Sequence, residues 1–358
     1  MEEHLKIHLL GGFLGSGKTT AIRQACRLLG RQGIAVGVIT NDQGCDLVDS
    51  AYFASEGIFN TQVEKGCFCC RFEELENRIS GMSAQGGPRV IFAESVGSCT
   101  DLVCTVVKPL SRFHPGLKVS LSIFADAGLL YLLLCGSDLL TKEVQYIYFN
   151  QLKEASLVIV SKTDLMESAE RSRLAAMIKQ KFGDKNLLFQ DSYKQEDLQR
   201  WLDALDKNQP CVSSQSPDID YDVYAQGESQ LAWLDQYLEI RSPHLDATHC
   251  AHALIREIYK KIKEIPLPIG HLKFFVNGRQ KISFTTMDQA EDPFPEGNET
   301  GLDATLLVNA RVQTSPERLR SLVAACLQMV ATSRGCVFKT ISTDVFSPGY
   351  PKPTFRIA

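Results

Sequence analysis

Short apolar runs punctuate the first two hundred residues of the chain. They fall at Leu5–Leu10, Ile34–Thr40, Ile58–Val63, Arg89–Ala93, Val119–Ala125, Leu157–Val160 and Leu187–Gln190. Each is near-continuously apolar rather than alternating, the pattern of strands buried on both faces of a parallel sheet. Segments with helical spacing lie between them, at Thr20–Leu29, Glu73–Met82, Ser168–Phe182 and Gln195–Leu205. This alternation predicts a doubly wound, mostly parallel α/β sheet. A polar stretch, "DKNQPCVSSQSPDIDYDVYAQGES", then reads as a linker. Beyond it the pattern predicts helices over Leu231–Ile240 and Thr248–Glu264, then strands over His271–Val276 and Lys281–Thr286. After the turn-rich "PFPEGNETG" come a strand over Thr305–Val312, a helix over Ser315–Met329 opened by "SPERL", and a strand over Val337–Thr343. The chain therefore divides into an α/β domain at 1–206, a linker at 207–229 and a smaller α+β domain at 230–358.

Composition narrows the classes of function. The chain has 358 residues, 44% hydrophobic and 22% charged, which is ordinary for two globular domains. A net charge of −4 and the lack of any basic run argue against nucleic acid or an anionic membrane as partner. The longest apolar stretch, "AGLLYLLLCG", is too short to span a bilayer, which takes about 18 residues or more. "MEEHLKIHLL" lacks the build of a signal peptide, so a cytoplasmic protein is expected. Its twelve cysteines then read as reduced thiols, some of them metal ligands, rather than a disulfide framework.

Three short stretches carry chemistry. "GGFLGSGKTT" contains G-x-x-x-x-G-K-[ST] over Gly12–Thr19, between a predicted strand and a predicted helix. Backbone N–H groups from Gly15, Ser16, Gly17, Lys18, Thr19 and Thr20 suit a phosphate cradle at a helix N-terminus. Lys18 is expected to reach the β- and γ-phosphates, and the Thr19 hydroxyl to hold Mg²⁺. "LVIVSKTDL" supplies K-x-D after a strand. Asp164 can accept from both the ring N–H and the exocyclic amine of guanine, while the Lys162 stem covers the base. Ser161 stands where such motifs usually have Asn, and a weakened preference for GTP over ATP is expected. The third stretch, "EKGCFCC", crowds Cys67, Cys69 and Cys70 into four positions. Thiolates are soft ligands, and three of them leave a fourth position for another group, water or a receiving ligand.

With these motifs in view, the chain resembles the CobW-type metal-homeostasis GTPases, relatives of the urease and hydrogenase accessory GTPases. The family's phosphate loop, NEFG, GCxCC, E-[TS]-x-G and base motifs stand here in order as Gly12–Thr20, "NDQG" (Asn41–Gly44), Gly66–Cys70, "ESVG" (Glu94–Gly97) and Ser161–Asp164. "SIFADAGLL" around Asp126 is similar to a further family strand. The likeness covers roughly the first 165 residues. Asp42 and Gln43 replace the family's Glu and Phe, Cys45 replaces an acid just after NEFG, and Ser161 replaces Asn. The resemblance implies a Walker B role for Glu94, holding Mg²⁺ or positioning the attacking water, and a switch role for Asp42. It implies Mg²⁺-dependent hydrolysis of GTP to GDP, a metallochaperone or insertase activity, and a client metalloenzyme or cofactor-bearing protein. Zn²⁺ is the first candidate metal, with Co²⁺ an alternative. The rival reading is an accessory switch acting on a corrinoid- or other cofactor-bearing protein without metal delivery.

A γ-phosphate-dependent shift of Asn41–Asp49 is the expected route from nucleotide to thiols. No arginine finger is evident in cis, so basal turnover is expected to be slow, with a partner, the bound metal or a homodimer as stimulus. His244, His249, Cys250 and His252 gather in "SPHLDATHCAHALIREI" and are read as a solvated or hydrogen-bonded helix start rather than a second metal site. His4 and His8 read as structural. Cys99 and Cys104 have helix-like spacing and read as core. Cys26, Cys135, Cys211, Cys326 and Cys336 give no spacing signal.

Overall fold

The computed structural model describes residues 5–44, 47–83, 87–207, 218–288 and 300–357. His4, Cys45, Cys211 and most of the "PFPEGNETG" loop lie outside the described residues. The chain forms two compact units, and each is threaded more than once. The first holds residues 1–43, 57–227 and 350–358, and the second holds 44–56 and 228–349.

All seven apolar runs of the first unit are strands: β1 (Lys6–Gly12), β2 (Val36–Asn41), β3 (Asn60–Val63), β4 (Val90–Glu94), β5 (Lys118–Asp126), β6 (Leu157–Ser161) and β7 (Asn186–Gln190). They form one parallel sheet in the order β3-β2-β4-β1-β5-β6-β7. Because every pair is parallel, the loops after all seven strands leave the same edge, where ligands of open α/β sheets bind. The intervening helices are α1 (Lys18–Arg31), α2 (Val48–Ser55, a member of the second unit), α3 (Phe72–Met82), α4 (Lys108–Phe113), α5 (Ala127–Leu134), α6 (Lys142–Glu154), α7 (Ser168–Phe182) and α8 (Gln195–Lys207). A π-helical turn at Val103–Val107 leads into α4.

The stretch read as linker behaves differently where it is described. Tyr221–Ser229 is a helix, α9. Ile219 and Tyr224 are buried against Ile147 of α6. The Gly227 backbone lies so near Glu143 that a Cβ there would meet its carbonyl oxygen at 2.6 Å. The polar composition conceals two apolar anchors and one close backbone approach.

The second unit is a five-stranded antiparallel sheet built from β8 (Leu231–Arg241), β9 (Ile269–Val276), β10 (Gln280–Phe284), β11 (Asp303–Gln313) and β12 (Val337–Phe346), in the order β10-β9-β11-β8-β12. Helices α10 (Ala247–Glu264) and α11 (Pro316–Arg334) share its apolar core with one sheet face. Leu231–Ile240 is therefore a strand, not the predicted helix. Ala232, Leu234, Leu238 and Ile240 point into the core at period two, and its Leu, Gln and Glu content masked that alternation.

The opposite sheet face carries a buried polar network beside Trp233 and Phe275. Arg311 Nη1 and Asn309 Nδ2 both donate to Asp235 Oδ1 at 2.7 Å, all three side chains being buried. Helix α2 belongs to this face. Its Val48 N–H donates to Asn309 Oδ1 at 2.8 Å, and Asp49 pairs with Lys273 at 2.5 Å and Lys281 at 2.7 Å. Burial works against the Asp49 carboxylate, but the two ammonium groups outweigh it and hold its pKa well below the ordinary range.

Candidate functional site

The phosphate loop runs from the end of β1 into α1. Gly12 has φ 122°, and a Cβ there would meet the Phe124 carbonyl oxygen at 2.1 Å, so β1 and β5 close up only around glycine. Gly17 caps α1 in the left-handed conformation at φ 86°. Lys18 is buried and donates to the carbonyls of Gly12 at 2.7 Å and Phe13 at 3.2 Å, folded over the cradle it would share with a phosphate. Thr19 Oγ1 donates to Glu94 Oε1 at 2.9 Å, and both residues are buried. A hydroxyl and a carboxylate thus meet at the mouth of the loop, the oxygen donors a hard divalent cation takes. Asp42 follows β2 at the same edge, its N–H donating to Val63 O at 3.3 Å.

The base-reading segment follows β6. The Ser161 hydroxyl donates to Ser16 O at 2.7 Å and to Ala125 O at 3.1 Å. It thereby ties β6 to the phosphate loop and β5. Lys162 takes the left-handed conformation at φ 57°, and its ammonium pairs with Asp126 Oδ2 at 2.8 Å. Asp126 Oδ1 accepts from Leu129 N at 3.0 Å and caps α5. Asp126 thus orients the lysine and starts a helix, more than a turn residue would do. Asp164 lies exposed on a short 3-10 turn at Thr163–Leu165.

The cysteine loop follows β3. Asn41, at the end of β2, holds it with three hydrogen bonds. Its Nδ2 donates to Val63 O at 3.0 Å and Gly66 O at 2.6 Å, and its Oδ1 accepts from Phe68 N at 2.8 Å. Cys67 and Cys69 are buried with their sulfurs 2.6 Å apart, and the half-buried Cys70 sulfur is 3.8 Å from that of Cys69. S–H donors from Cys69, then Cys70 and Cys99, hold Cys67 well below an ordinary thiol. The same contact with Cys67 pushes Cys69 well above that value, and Cys70 up to about 12. One thiolate among protonated thiols is the balance this crowding favours.

Two lines of comparison bear on this arrangement. The model of the family described as CobW/HypB/UreG, nucleotide-binding domain, matches residues 6–189, just over half of the 358-residue chain. The chain belongs to the CobW/HypB/UreG family. Among solved structures, HypB from Helicobacter pylori in complex with nickel is similar at 17% identity and TM-score 0.43, over 60% of this chain and 93% of that one. The hydrogenase maturation factor HypB from Archaeoglobus fulgidus is 17% identical over 57% and 90%, with TM-score 0.41. An apo GTPase from Pyrococcus abyssi is 12% identical over 57% and 97%, with TM-score 0.34. No curated protein sequence matches. No helix among the described residues is long and apolar enough to cross a membrane.

Within this CobW/HypB/UreG chain, most predicted site residues fall at the carboxyl edge of the first sheet. The exception to the predicted division is Cys99, read as core from its spacing. The sulfurs of Cys67, Cys69 and Cys99 all lie within 4.8 Å of one another. Sequence spacing could not pair Cys99 with a loop some thirty residues earlier. Asn41 was read only as part of a motif, and its three hydrogen bonds to the cysteine loop had no sequence signal beyond that. The tail was missed outright. Thr354 N–H donates to Cys69 O at 2.8 Å, and Ile357 N–H to Cys104 O at 2.9 Å. Arg356 pairs with the buried Asp101 at 2.7 Å. Phe355 packs edge-on against Phe72 and Phe113.

The histidine-rich helix start forms no metal-capable group among the described residues. His252 Nε2 instead bonds Gln280 Oε1 at 2.8 Å. His8 is buried against Ser120 Oγ at 2.7 Å, and burial lowers its pKa to about 4.

Proposed function

We propose that this GTPase-family chain is a GTP-hydrolysing metallochaperone or insertase. It takes a transition metal, Zn²⁺ first, on the thiols of the Cys67–Cys70 loop and passes it to a client metalloenzyme or cofactor-bearing protein. One observation carries the reading. The phosphate loop after β1 and the cysteine loop after β3 leave the same edge of one parallel sheet, with Asn41 at the end of β2 bonded into the cysteine loop.

The residues divide the work. Backbone N–H groups of Gly15 to Thr20 cradle the phosphates, and Lys18 turns from the Gly12 and Phe13 carbonyls to the transferred phosphoryl group. Thr19 and Glu94 would hold Mg²⁺, which neutralises developing charge on the phosphates when bound. Asp42 lies where a switch segment senses the γ-phosphate. Asp164 reads guanine and Lys162, steered by Asp126, covers the base. Ser161 already spends its hydroxyl on the phosphate loop and β5. Guanine selection therefore rests on Asp164 and Lys162. Hydrolysis shifts the loops at this edge and so changes the affinity of the thiols for the metal, and the metal changes nucleotide affinity equally.

The test is a competition titration of Zn²⁺ against a chelating dye, with a non-hydrolysable GTP analogue and with GDP. The expected shift between the two states is about 5–150-fold. Cys69→Ser combined with Cys70→Ser weakens Zn²⁺ binding in both states and leaves GTP affinity nearly intact. Equal affinities in the two states would break the gating, and absence of Zn²⁺ binding would leave a GTPase without cargo.

A further inference from the structure

Cys99 sits on the loop after β4, and that loop is fixed from several sides. Its N–H donates to Val96 O at 3.0 Å. The buried Gln151 of α6 donates to Gly97 O at 3.0 Å and to Cys99 O at 2.7 Å. Glu154 of α6 accepts from Thr100 Oγ1 at 3.3 Å and from Val103 N at 3.1 Å. The thiol is thus delivered to a set position. Its neighbours there are the sulfurs of Cys67 and Cys69, which come from a different loop. Cys104, equally buried five positions further on, joins no such group among the described residues. Burial alone explains Cys104. It does not explain three thiols from two loops converging with no imidazole or carboxylate among them.

We propose that Cys99 is the third inner ligand, with Cys67 and Cys69, of a soft closed-shell cation such as Zn²⁺, and that Cys70 stands outside that inner set. The inference rests on the metal-binding reading above and changes its ligand set. Sulfurs sharing one zinc at Zn–S of about 2.3 Å lie about 3.8 Å apart. The Cys67–Cys69 pair opens from 2.6 Å to reach that spacing, and Cys99, within 4.8 Å of both, need move by no more than a side-chain adjustment. Three thiolates without a hard donor select thiophilic metals over Mg²⁺ or Ca²⁺ and leave one position for exchange. Cys70 is half-buried beside Cys69, suited to meet a metal on its way in or out.

The ligand set also shortens the path to the nucleotide. Cys99 follows Glu94 by five positions, and Glu94 accepts from Thr19. Between them Gly97 lies on the phosphate loop so closely that a Cβ would meet Leu14 N at 2.9 Å and Leu14 Cα at 3.0 Å. A shift of the loop after β4 moves a ligand directly.

Co²⁺ alone is the probe, added to the full chain without oxygen, with Zn²⁺ competition for affinity. The thiolate-to-Co²⁺ charge-transfer band per bound ion counts thiolates. Cys99→Ser is expected to lose about one third of the band, one thiolate of three. It should also weaken Zn²⁺ by roughly a hundredfold, one ligand's share of a structural zinc site. Cys70→Ser should keep the band and bind Zn²⁺ as wild type does. The reverse outcome, a full band in Cys99→Ser and a lost third in Cys70→Ser, overturns this inference and leaves the metallochaperone reading standing. A wild type with no charge-transfer band and no Zn²⁺ affinity removes that reading instead. If Cys99→Ser does not fold, wild type loaded with ¹¹³Cd²⁺ gives the answer. Scalar coupling from the metal to the Cys99 β-protons is expected, and coupling to Cys67 and Cys69 without Cys99 overturns the proposal.

Discussion

The phosphate loop and the thiol cluster share one edge of one sheet, yet they are made in opposite ways. The phosphate loop is a single continuous stretch, Gly12–Thr20, which carries all its own phosphate donors and is braced by Phe124, Gly97 and Ser161. The thiol cluster has no such independence. Cys67 and Cys69 come from the loop after β3 and Cys99 from the loop after β4, Asn41 at the end of β2 pins the first, and α6 pins the second. A site made of one segment keeps its donors together when its surroundings shift. A site made of several segments changes with each of them, which the proposed metal gating requires and a substrate cradle does not.

The strongest way to break this contrast is Lys18→Ala. Removing the cation nearest the transferred charge should lower GTP hydrolysis by at least about 10²–10³-fold. Zn²⁺ affinity without nucleotide should stay at the wild-type value. Phosphate release and dye competition measure the two effects, and a parallel loss of Zn²⁺ would mean the sites are one structure rather than two.

Glu154 offers the next largest effect. Burial raises its pKa from 4.5 to about 8. The folded state therefore keeps a proton that the unfolded state releases. Stability from this group is full below pH 4.5 and is lost as pH rises from there through 8, by on the order of 5 kcal/mol in all. Urea midpoints across that range should fall in wild type and flatten in Glu154→Gln. An equal slope in both would show that the α6 anchor of the Cys99 loop does not titrate there.

Asn41→Ala is a smaller blow aimed at the assembled site alone. It leaves buried backbone groups of the cysteine loop without their partner, for a loss of roughly 1–3 kcal/mol in stability. Zn²⁺ binding should weaken while GTP affinity without metal holds. Unchanged Zn²⁺ affinity would mean the loop keeps its shape without the latch.

The smallest effect sharpens the other side. Asp164→Asn should reduce the preference for GTP over ATP by about tenfold, the share of one hydrogen bond to a charged group. Competition of the two nucleotides for a fluorescent analogue reads this. A wild type that prefers ATP would reverse the base assignment altogether.

The same contrast governs what the sequence makes legible. Seven near-continuous apolar runs announce a parallel sheet because both faces of its inner strands are covered, and the phosphate loop announces itself because its residues are neighbours in the chain. Cys99 is silent in the sequence because its partners lie on another loop, and spacing within one segment carries no information about a second. The strand Leu231–Arg241 hid for a related reason. Its core face is regular, but its other face carries Asp235 into an ion pair with Arg311, so a polar residue sits buried where the pattern suggests exposure. Ile219 and Tyr224 were masked by the polar residues around them. In each case the deciding partner comes from elsewhere in the chain.

The return of residues 350–357 to the first unit sets an order in time. Thr354 bonds the Cys70 carbonyl from 284 positions downstream. A chain emerges from the ribosome at about 5–20 residues per second, its N-terminal parts first. Everything the phosphate cradle needs, from β1 to the base-reading turn after β6, has been synthesised by residue 165. The strap along the cysteine loop follows roughly 10–40 seconds later at that pace. During that interval the nascent protein can take up its nucleotide while its thiols still lack their cover. Each molecule can therefore bind nucleotide before the strap reaches its cysteine loop.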